Sequence, residues 1–174
     1  MNIHQMVTQP QFIVYVATHQ QVKFNASVRG TDYRFVTAKE QHFFGMKKSW
    51  INKSQRVYIS DLEKTVLDGL KMPEYCGGIS EVAKGFWIKR DKITISKLID
   101  YAERLNVGAV YRRLGFLLDI YDAATAEELE RLQRHLTKTY SLLDPTLSKE
   151  GKHLSRWRLQ LNIEADELLA VVQT

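Results

Sequence analysis

Asp144, Glu150 and Lys152 come nearest, in residue type and spacing, to a set of side chains that could do chemistry. An aspartate followed by a glutamate-x-lysine triplet fits a metal-dependent nuclease, in which two carboxylates hold Mg²⁺ and the lysine stabilises the developing negative charge. The spacing here is short, however, and the segment has the composition of a loop, so no strand would fix the two carboxylates. A nuclease is therefore an alternative and not the main interpretation.

The other residues that could take part in catalysis lack partners at useful spacing. Cys76 precedes a helix start, where a helix dipole would lower the pKa of its thiol; otherwise it is a small buried side chain in the turn at Gly77-Gly78. Nucleophile-elbow, phosphate-loop and dinucleotide motifs are absent from the sequence. The histidines have no second histidine or cysteine at ligand spacing: His4, His19, His42, His135 and His153. The sequence therefore predicts no catalytic residues, no metal site, no cofactor and no enzymatic activity.

Basic residues form two local groups that could contact phosphates. Lys47, Lys48, Lys53 and Arg56 lie within ten positions, with Trp50 among them. Phosphate contacts need clustered cations, and an aromatic ring among them can stack on a base. We also expect Arg112-Arg113 on the outer face of a helix, opposite its apolar stripe. The alternative for both groups is a solvated helix face and an edge strand protected by lysines.

Hydrophobic periodicity predicts that strands dominate the first 60 residues. Residues 12–18 are apolar on both faces, as in a strand buried inside a sheet. Residues 22–28 and 33–37 alternate around turn chemistry at Arg29-Gly30, which predicts a hairpin. Short strands are expected at 46–51 and 56–59. A late alternating run at 157–163 is expected to return to the N-terminal sheet.

The middle of the chain has the periodicity of helices. Apolar residues recur at helical spacing over about 62–70, 79–87, 95–105, 107–121 and 125–136, and a short helix is expected at 167–172. Ser60 with Glu63, and Thr125 with Glu128, have the form of capping boxes. These patterns predict an α+β fold, in which about five helices pack on one mixed sheet made of the N-terminal strands plus one C-terminal strand.

Length and composition favour one domain, residues 1–174. The chain is 44% apolar and 26% charged, with a formal net charge of +5 and one cysteine. This composition is ordinary for a globular protein and argues against disorder, and one cysteine cannot form an intramolecular disulfide. The sequence contains neither a long apolar run nor a signal-peptide pattern. We therefore expect a soluble cytoplasmic protein with no membrane association.

A specific resemblance extends from Val57 to Trp87, where the sequence reads VYISDLEKTVLDGLKMPEYCGGISEVAKGFW. This segment resembles the AbiEi family of antitoxins from type IV abortive-infection toxin–antitoxin systems. The family pattern is a strand ending in V-x-V-[SA], then D-x-E-[RK]-T-[LIV]-[LV]-D, a proline and Y-C-G-G-[IV]-x-E-V. The matching positions are Ser60, Asp61, Glu63, Lys64, Thr65, Asp68, Pro73, Tyr75, Cys76, Gly77, Gly78, Glu81 and Val82.

Further segments extend the resemblance over nearly the whole chain. Phe43-Phe44-Gly45 looks like the end of a family strand, and Leu143-Asp144-Pro145 and Arg156-Trp157 through Asn162 resemble the family's C-terminal end. The Y-A-x-[RK]-[LM] and [KR]-R-L-G-[YF]-L-L-E segments match at Tyr101, Ala102, Arg104, Arg113, Leu114, Gly115 and Phe116.

The resemblance implies an antitoxin that opposes a nucleotidyltransferase toxin without a stable complex. Family members usually also carry an N-terminal winged helix-turn-helix that binds operator DNA. This sequence begins at Met1 in what looks like the tail of that connection, so we expect only the C-terminal antitoxin domain here. Transcriptional autoregulation and DNA binding are further expectations from the resemblance, and in family members they depend on that winged helix-turn-helix. The motif residues are expected to be structural, with Glu63 capping a helix and Gly77-Gly78 making a turn. The alternative is a basic nucleic-acid-binding regulatory module without antitoxin activity.

Overall fold

A computed structural model describes residues 1–7, 13–21, 25–50 and 52–170. Within these residues the chain is α+β, as the sequence predicts. The strands are β1 (Ile13–Thr18), β2 (Ala26–Val28), β3 (Thr31–Thr37), β4 (Met46–Trp50), β5 (Arg56–Ser60), β6 (Ser141–Leu142), β7 (Lys152–Leu154) and β8 (Leu159–Leu161). The α-helices are α1 (Leu62–Lys71), α2 (Ile79–Lys89), α3 (Ile95–Leu105), α4 (Gly108–Ile120), α5 (Ala126–Gln133) and α6 (Ala165–Leu169).

The N-terminal sheet has the order β1-β3-β2. The predicted hairpin is confirmed, since β2 pairs antiparallel with β3 and the turn residues Arg29 and Gly30 have φ values of 51° and 78°. Positive φ values at both turn positions are typical of the two-residue turns whose twist matches that of the flanking strands. The prediction that the run at 12–18 is an internal strand is wrong, because β1 lies at the edge and pairs with β3 alone among the described strands. Phe12 and residues 22–24 of the predicted strands lie outside the described residues.

The strands form three small sheets, not one mixed sheet. Strands β4 and β5 make a separate antiparallel hairpin, and the C-terminal strands form a sheet of order β6-β8-β7. The predicted return of the C-terminal strand to the N-terminal sheet is therefore wrong. The regular part of that strand is only Leu159–Leu161, because residues 155–158 form a turn that places Trp157 in the core with 0% exposure.

The helices supply most of the core, and their apolar stripes were predicted correctly. Helix α1 packs against α2, α3 and α4. The fully buried side chains along these helices include Leu67, Leu70, Ile79, Leu98, Ile99, Leu105, Leu114 and Leu117. Each such side chain contributes about 1.5–3 kcal/mol when removed from water. The central helices therefore contribute most of the buried side chains of the core.

The two predicted capping boxes have different outcomes. Thr125 and Glu128 form a complete capping box at α5, which confirms that prediction. At α1 the N-cap is Asp61 and not Ser60, because the Asp61 carboxylate accepts a hydrogen bond from Lys64 N–H at 2.9 Å. Glu63 therefore occupies the second helical position, where it is free to contact a different helix.

No helix among the described residues is long and apolar enough to cross a membrane.

Candidate functional site

The β4–β5 hairpin carries most of the predicted phosphate-contacting residues. Its register pairs Lys48 with Tyr58 and Trp50 with Arg56. Directly opposed residues of an antiparallel pair lie on the same side of the sheet, as do residues two apart on one strand. These four side chains therefore share one side of the hairpin, which we call the hairpin face.

Cations and aromatic rings are in contact on the hairpin face. The Arg56 guanidinium lies 3.8 Å from the centre of the Trp50 ring, and Lys48 Nζ lies 5.5 Å from the centre of the Tyr58 ring. Both distances are within the range of cation–π attraction. Trp50 is nonetheless 57% exposed and Tyr58 64% exposed. Much of each ring surface is thus open to solvent beside a positive charge.

The remaining two cations of this group lie off the hairpin face, one in the turn and one on the opposite side of the hairpin. Lys53 is exposed in the turn between the strands, where Asn52 Oδ1 accepts hydrogen bonds from Ser54 N–H and Gln55 N–H at 2.9 and 2.8 Å. Lys47 lies on the opposite side of the hairpin, because it neighbours Lys48 on the same strand. It lines an open groove of about 480 Å³ between the hairpin and the N-terminal residues Ile3 and His4. The structure therefore brings all four basic residues onto one hairpin.

Sequence reasoning missed Tyr58 as a member of this surface. It lies on the second strand and two positions after Arg56, so linear clustering of charges does not find it. The signal that would have found it is the hairpin register, which places it opposite Lys48.

Arg113 does not lie on an outer helix face, contrary to the prediction. It is 5% exposed. Its Nη1 donates to Leu70 O at 2.6 Å, and its Nε and Nη2 donate to Leu142 O at 3.3 and 3.1 Å. Burial lowers the pKa of Arg113, partly offset by Asp144. The guanidinium joins the end of α1 to β6, so it is structural and cannot contact a phosphate in solution.

Arg112 is also buried, with 2% exposure, so the prediction that it is on the surface is wrong. Its Nη2 donates to Thr137 Oγ1 at 2.8 Å and to Thr139 O at 2.9 Å. Its Nε has no hydrogen-bond partner among the described residues. The chain after α5 covers this side of α4. Helical periodicity within α4 could not reveal that cover, because it comes from more than 20 residues away.

The acidic motif residues at the start of α1 form a clamp around one lysine. Lys97 Nζ, on α3, donates to Asp61 Oδ2 at 2.9 Å and to Glu63 Oε2 at 2.8 Å. Tyr101 OH donates to Asp61 Oδ2 at 3.2 Å, and Thr94 N–H donates to Glu63 Oε1 at 3.1 Å. Both carboxylate side chains are 6% exposed, whereas Lys97 is 37% exposed. We call this cluster the Lys97 clamp.

Electrostatics of the Lys97 clamp favour the charged forms. Burial raises the pKa of Glu63, but hydrogen bonds from Lys97 and Thr94 outweigh it, so the pKa lies below its usual value. The hydrogen bond to Glu63 raises the pKa of Lys97 against the effect of burial. Every oxygen of the pair except Asp61 Oδ1 faces these donors, and Asp61 Oδ1 caps α1. The predicted role of Glu63 in capping α1 is wrong, because its carboxylate accepts a hydrogen bond from Thr94 N–H at the start of α3 instead.

Lys64, Thr65 and Asp68 also have structural partners. Lys64 pairs with Asp68 one turn along α1 and lies 5.2 Å from the centre of the Phe44 ring. Thr65 Oγ1 shares a hydrogen bond of 2.8 Å with Ser60 Oγ at the end of β5. These contacts hold the hairpin base against α1, in agreement with the structural role expected of the motif.

Gly77 and Gly78 form the predicted turn, and the second glycine meets Asp144. Gly78 has a φ of 96°, and a Cβ placed there would lie 2.7 Å from Asp144 Oδ2. The same oxygen accepts from Ile79 N–H at 2.6 Å, while Asp144 Oδ1 accepts from Thr146 N–H at 2.8 Å. Asp144 is therefore the cap of α2, supplied from 65 positions away.

This arrangement argues against the nuclease alternative. Asp144 is 2% exposed, and both of its carboxylate oxygens already accept hydrogen bonds. Glu150 is exposed just before β7, which contains Lys152, whereas the Asp144 carboxylate is already engaged as the cap of α2. Among the described residues, no group of three or more histidine, cysteine, aspartate or glutamate side chains could hold a metal ion.

The remaining motif residues, Tyr75, Glu81 and Cys76, also have packing or ion-pair contacts. Tyr75 stacks on Tyr15 of β1 with ring centres 4.5 Å apart, and Glu81 pairs with Lys84 at 2.9 Å. Burial raises the pKa of the Cys76 thiol to about 11. This direction is opposite to that of an activated thiol and supports the interpretation of a packed turn residue.

Gly115 and Trp157 form a close contact that the sequence did not reveal. A Cβ on Gly115 would overlap the Trp157 ring, whose Nε1 donates to Asp119 Oδ2 at 2.8 Å. The indole thus lies directly on α4 and anchors the C-terminal sheet there. The only sequence signal was the resemblance, which includes both residues.

Comparison with other proteins adds no family assignment: no family model, curated protein or solved structure matches this chain.

Proposed function

We propose that this chain is an antitoxin of the AbiEi type, which counteracts a nucleotidyltransferase toxin in a type IV abortive-infection system. The observation that carries the proposal is the convergence of the separate sequence segments that resemble the family. Asp144 of one segment caps α2 at Gly78 of another. Trp157 of a third lies on Gly115 of a fourth.

The convergence supports the resemblance because the segments are far apart in sequence and depend on each other in the fold. Arg113 adds a third link, since it joins Leu70 O to Leu142 O. A chance similarity of short motifs has no reason to place their glycines and charged residues in mutual contact. The pattern therefore describes one folded unit, which is what an antitoxin domain requires.

The proposed mode of action is not enzymatic. The charged residues of the central motif are engaged in caps and ion pairs, as in the Lys97 clamp. These contacts hold the fold together, which supports a structural role for the motif residues. We propose that the chain opposes the effect of the toxin without forming a stable complex with it, and that it does so in the cytoplasm.

Growth rescue is the test of the proposal. The chain is co-expressed with the nucleotidyltransferase toxin that the proposal assigns to it, and colony counts are compared with those of cells that express the toxin alone. We expect restored growth, and no co-purification of toxin with tagged chain. Gly78→Val, which places a side chain against Asp144, is the unfolded control and should not rescue. Failure of the folded wild-type chain to restore growth would overturn the proposal.

A second candidate function is a basic nucleic-acid-binding regulatory module, and the hairpin face favours it. Four cations on one exposed hairpin suit contacts with phosphates. Titration of the chain with DNA from upstream of its own gene tests this candidate. Binding that weakens steeply with added salt supports it, and binding that does not change with salt contradicts it.

A further inference from the structure

We infer that the hairpin face is a binding site for single-stranded nucleic acid, with bases stacked on Trp50 and Tyr58 and phosphates held by the surrounding cations. This inference does not rest on the antitoxin proposal. It narrows the second candidate function to one surface and one form of nucleic acid.

The arrangement of the four side chains is the first argument. Because Lys48 is opposite Tyr58 and Trp50 is opposite Arg56, cations and rings alternate in both directions on the face. The two ring-bearing residues occupy one diagonal of this pattern, where the backbone spacing is about 7–8 Å. The two cations occupy the other diagonal. Two unpaired bases of one strand can therefore each meet a ring while the adjoining phosphates meet a cation.

Charge is the second argument, and it identifies a polyanion as the partner. Residues 46–60 contain four lysines and arginines and no aspartate or glutamate. Within the part of the chain that the structure describes, none of these four cations forms an ion pair with a carboxylate. Two of them lie over rings instead, Lys48 over Tyr58 and Arg56 over Trp50. Unneutralised cations on an exposed strand pair attract phosphates and gain free energy from release of their counterions.

The third argument is the exposure of the rings, which favours single-stranded over duplex nucleic acid. Large aromatic side chains on a strand normally pack against a core, whereas Trp50 is 57% exposed and Tyr58 64% exposed. A base can stack on an exposed ring only when it is unpaired, because duplex bases are stacked on one another. A duplex offers the same phosphates but no free base faces. The rings therefore distinguish the two forms.

The test uses the purified 174-residue chain and fluorescein-labelled dT20 and rU20, with a dT20–dA20 duplex of the same length. Binding is followed by fluorescence anisotropy, with Trp emission as a second signal. We expect both single strands to bind at least 10-fold more tightly than the duplex. The slope of log K against log salt should be about −2, since Lys48, Lys53 and Arg56 can each contact a phosphate and each contact contributes about −0.7. Trp emission should fall on binding.

Variants with matched controls assign the binding to the hairpin face. Trp50→Ala and Tyr58→Ala should each weaken binding by about 10-fold, and Trp50→Leu and Tyr58→Leu, which keep apolar bulk on the strand, should do the same. Tyr140→Ala is the control, because Tyr140 is an exposed ring beside Arg158 elsewhere on the molecule.

A second pair of variants tests the contribution of the cations. Arg56→Gln should weaken binding, whereas Arg90→Gln should not. Arg90 lies 4.0 Å from the Trp87 ring centre, so it is a matched cation–aromatic pair.

Several results would overturn the inference. These are equal affinity for duplex and single strands, equal losses in the hairpin and control variants, or equally tight binding of poly-glutamate that does not depend on the rings. Binding by dT20 but not rU20, or the reverse, supports the site and identifies the sugar that it accepts. The assay contains no toxin, and growth rescue involves no binding measurement, so failure of one proposal is distinguishable from failure of the other.

Discussion

Removal of the lysine from the Lys97 clamp tests how the motif carboxylates stabilise the fold. In Lys97→Met the variant side chain keeps its length but lacks the cation. Asp61 and Glu63 then remain as two carboxylates, each 6% exposed, without the charge that bridges them. A buried charge without its partner destabilises a protein strongly, and two like charges in proximity add to the effect.

The expected size of the loss follows from the geometry. Hydrogen bonds to charged groups contribute about 1.5–3 kcal/mol each to stability. Lys97 makes two of them, at 2.8 and 2.9 Å. Because Lys97 is 37% exposed, water screens both interactions and their sum must be discounted. We expect Lys97→Met to lower the free energy of unfolding by about 2–3 kcal/mol near neutral pH.

The pH dependence of this loss has a definite sign. The pKa of Glu63 in the folded chain lies below its usual value of 4.5. A carboxyl of this kind stabilises the fold above its unfolded pKa, and the contribution disappears as the pH falls through its folded pKa. Lys97 interacts with the charged form of Glu63. The difference in stability between the wild type and Lys97→Met should therefore shrink as the pH falls from about 7 to about 3.5.

Urea unfolding followed by circular dichroism at both pH values measures these differences. Lys84→Met is the control, because Lys84 is also 37% exposed and lies 2.9 Å from Glu81, whose side chain is 28% exposed. This pair is a surface i,i+3 contact, so its loss should cost under about 1 kcal/mol. Equal losses in the two variants, or a Lys97→Met deficit that grows in acid, would refute the reasoning.

Two other predictions concern packing and reactivity. Gly115→Ala should lower the free energy of unfolding by about 1–3 kcal/mol, because a Cβ there overlaps the Trp157 ring. Thermal unfolding measures this loss. Gly108→Ala is the control and should cost less, because its Cβ meets only the end of the Arg112 side chain. Since burial raises the pKa of Cys76 to about 11, the folded chain should react with a thiol reagent at about pH 8 much more slowly than the urea-unfolded chain. Equal reaction rates in the two states would contradict the assignment of Cys76 as a packed turn residue.

Local patterns in the sequence predicted what local interactions determine. The apolar stripes of α1 to α5 and the capping box at Thr125 depend on residues three and four positions apart, and both are present. The hairpin turn at Arg29-Gly30 is equally local. These features need no knowledge of distant residues.

The predictions that were wrong involve partners far along the chain. Arg112 and Arg113 lie opposite the apolar stripe of α4, yet residues 137–142 cover them. The cap of α1 is Asp61 and not the predicted Ser60. Glu63 instead contacts Thr94 and Lys97, at the start of α3 and within it. Strand pairing also depends on residues that are far apart in the sequence, so local patterns could not predict the division into three sheets. On the hairpin face, the charges could be predicted from their clustering, whereas Tyr58 required the register.

The helix ends capped by distant side chains have a consequence for the order of folding. Leu70 O at the end of α1 receives its donor from 43 residues later, and Ile79 N–H at the start of α2 receives its acceptor from 65 residues later. A nascent chain that has emerged only as far as α3 has neither, so these ends are open to water while synthesis continues. Helices α1 and α2 reach their final hydrogen bonding only when residue 144 has been made and has folded back. The N-terminal helices and the C-terminal sheet are therefore expected to fold, and to open, as one cooperative unit.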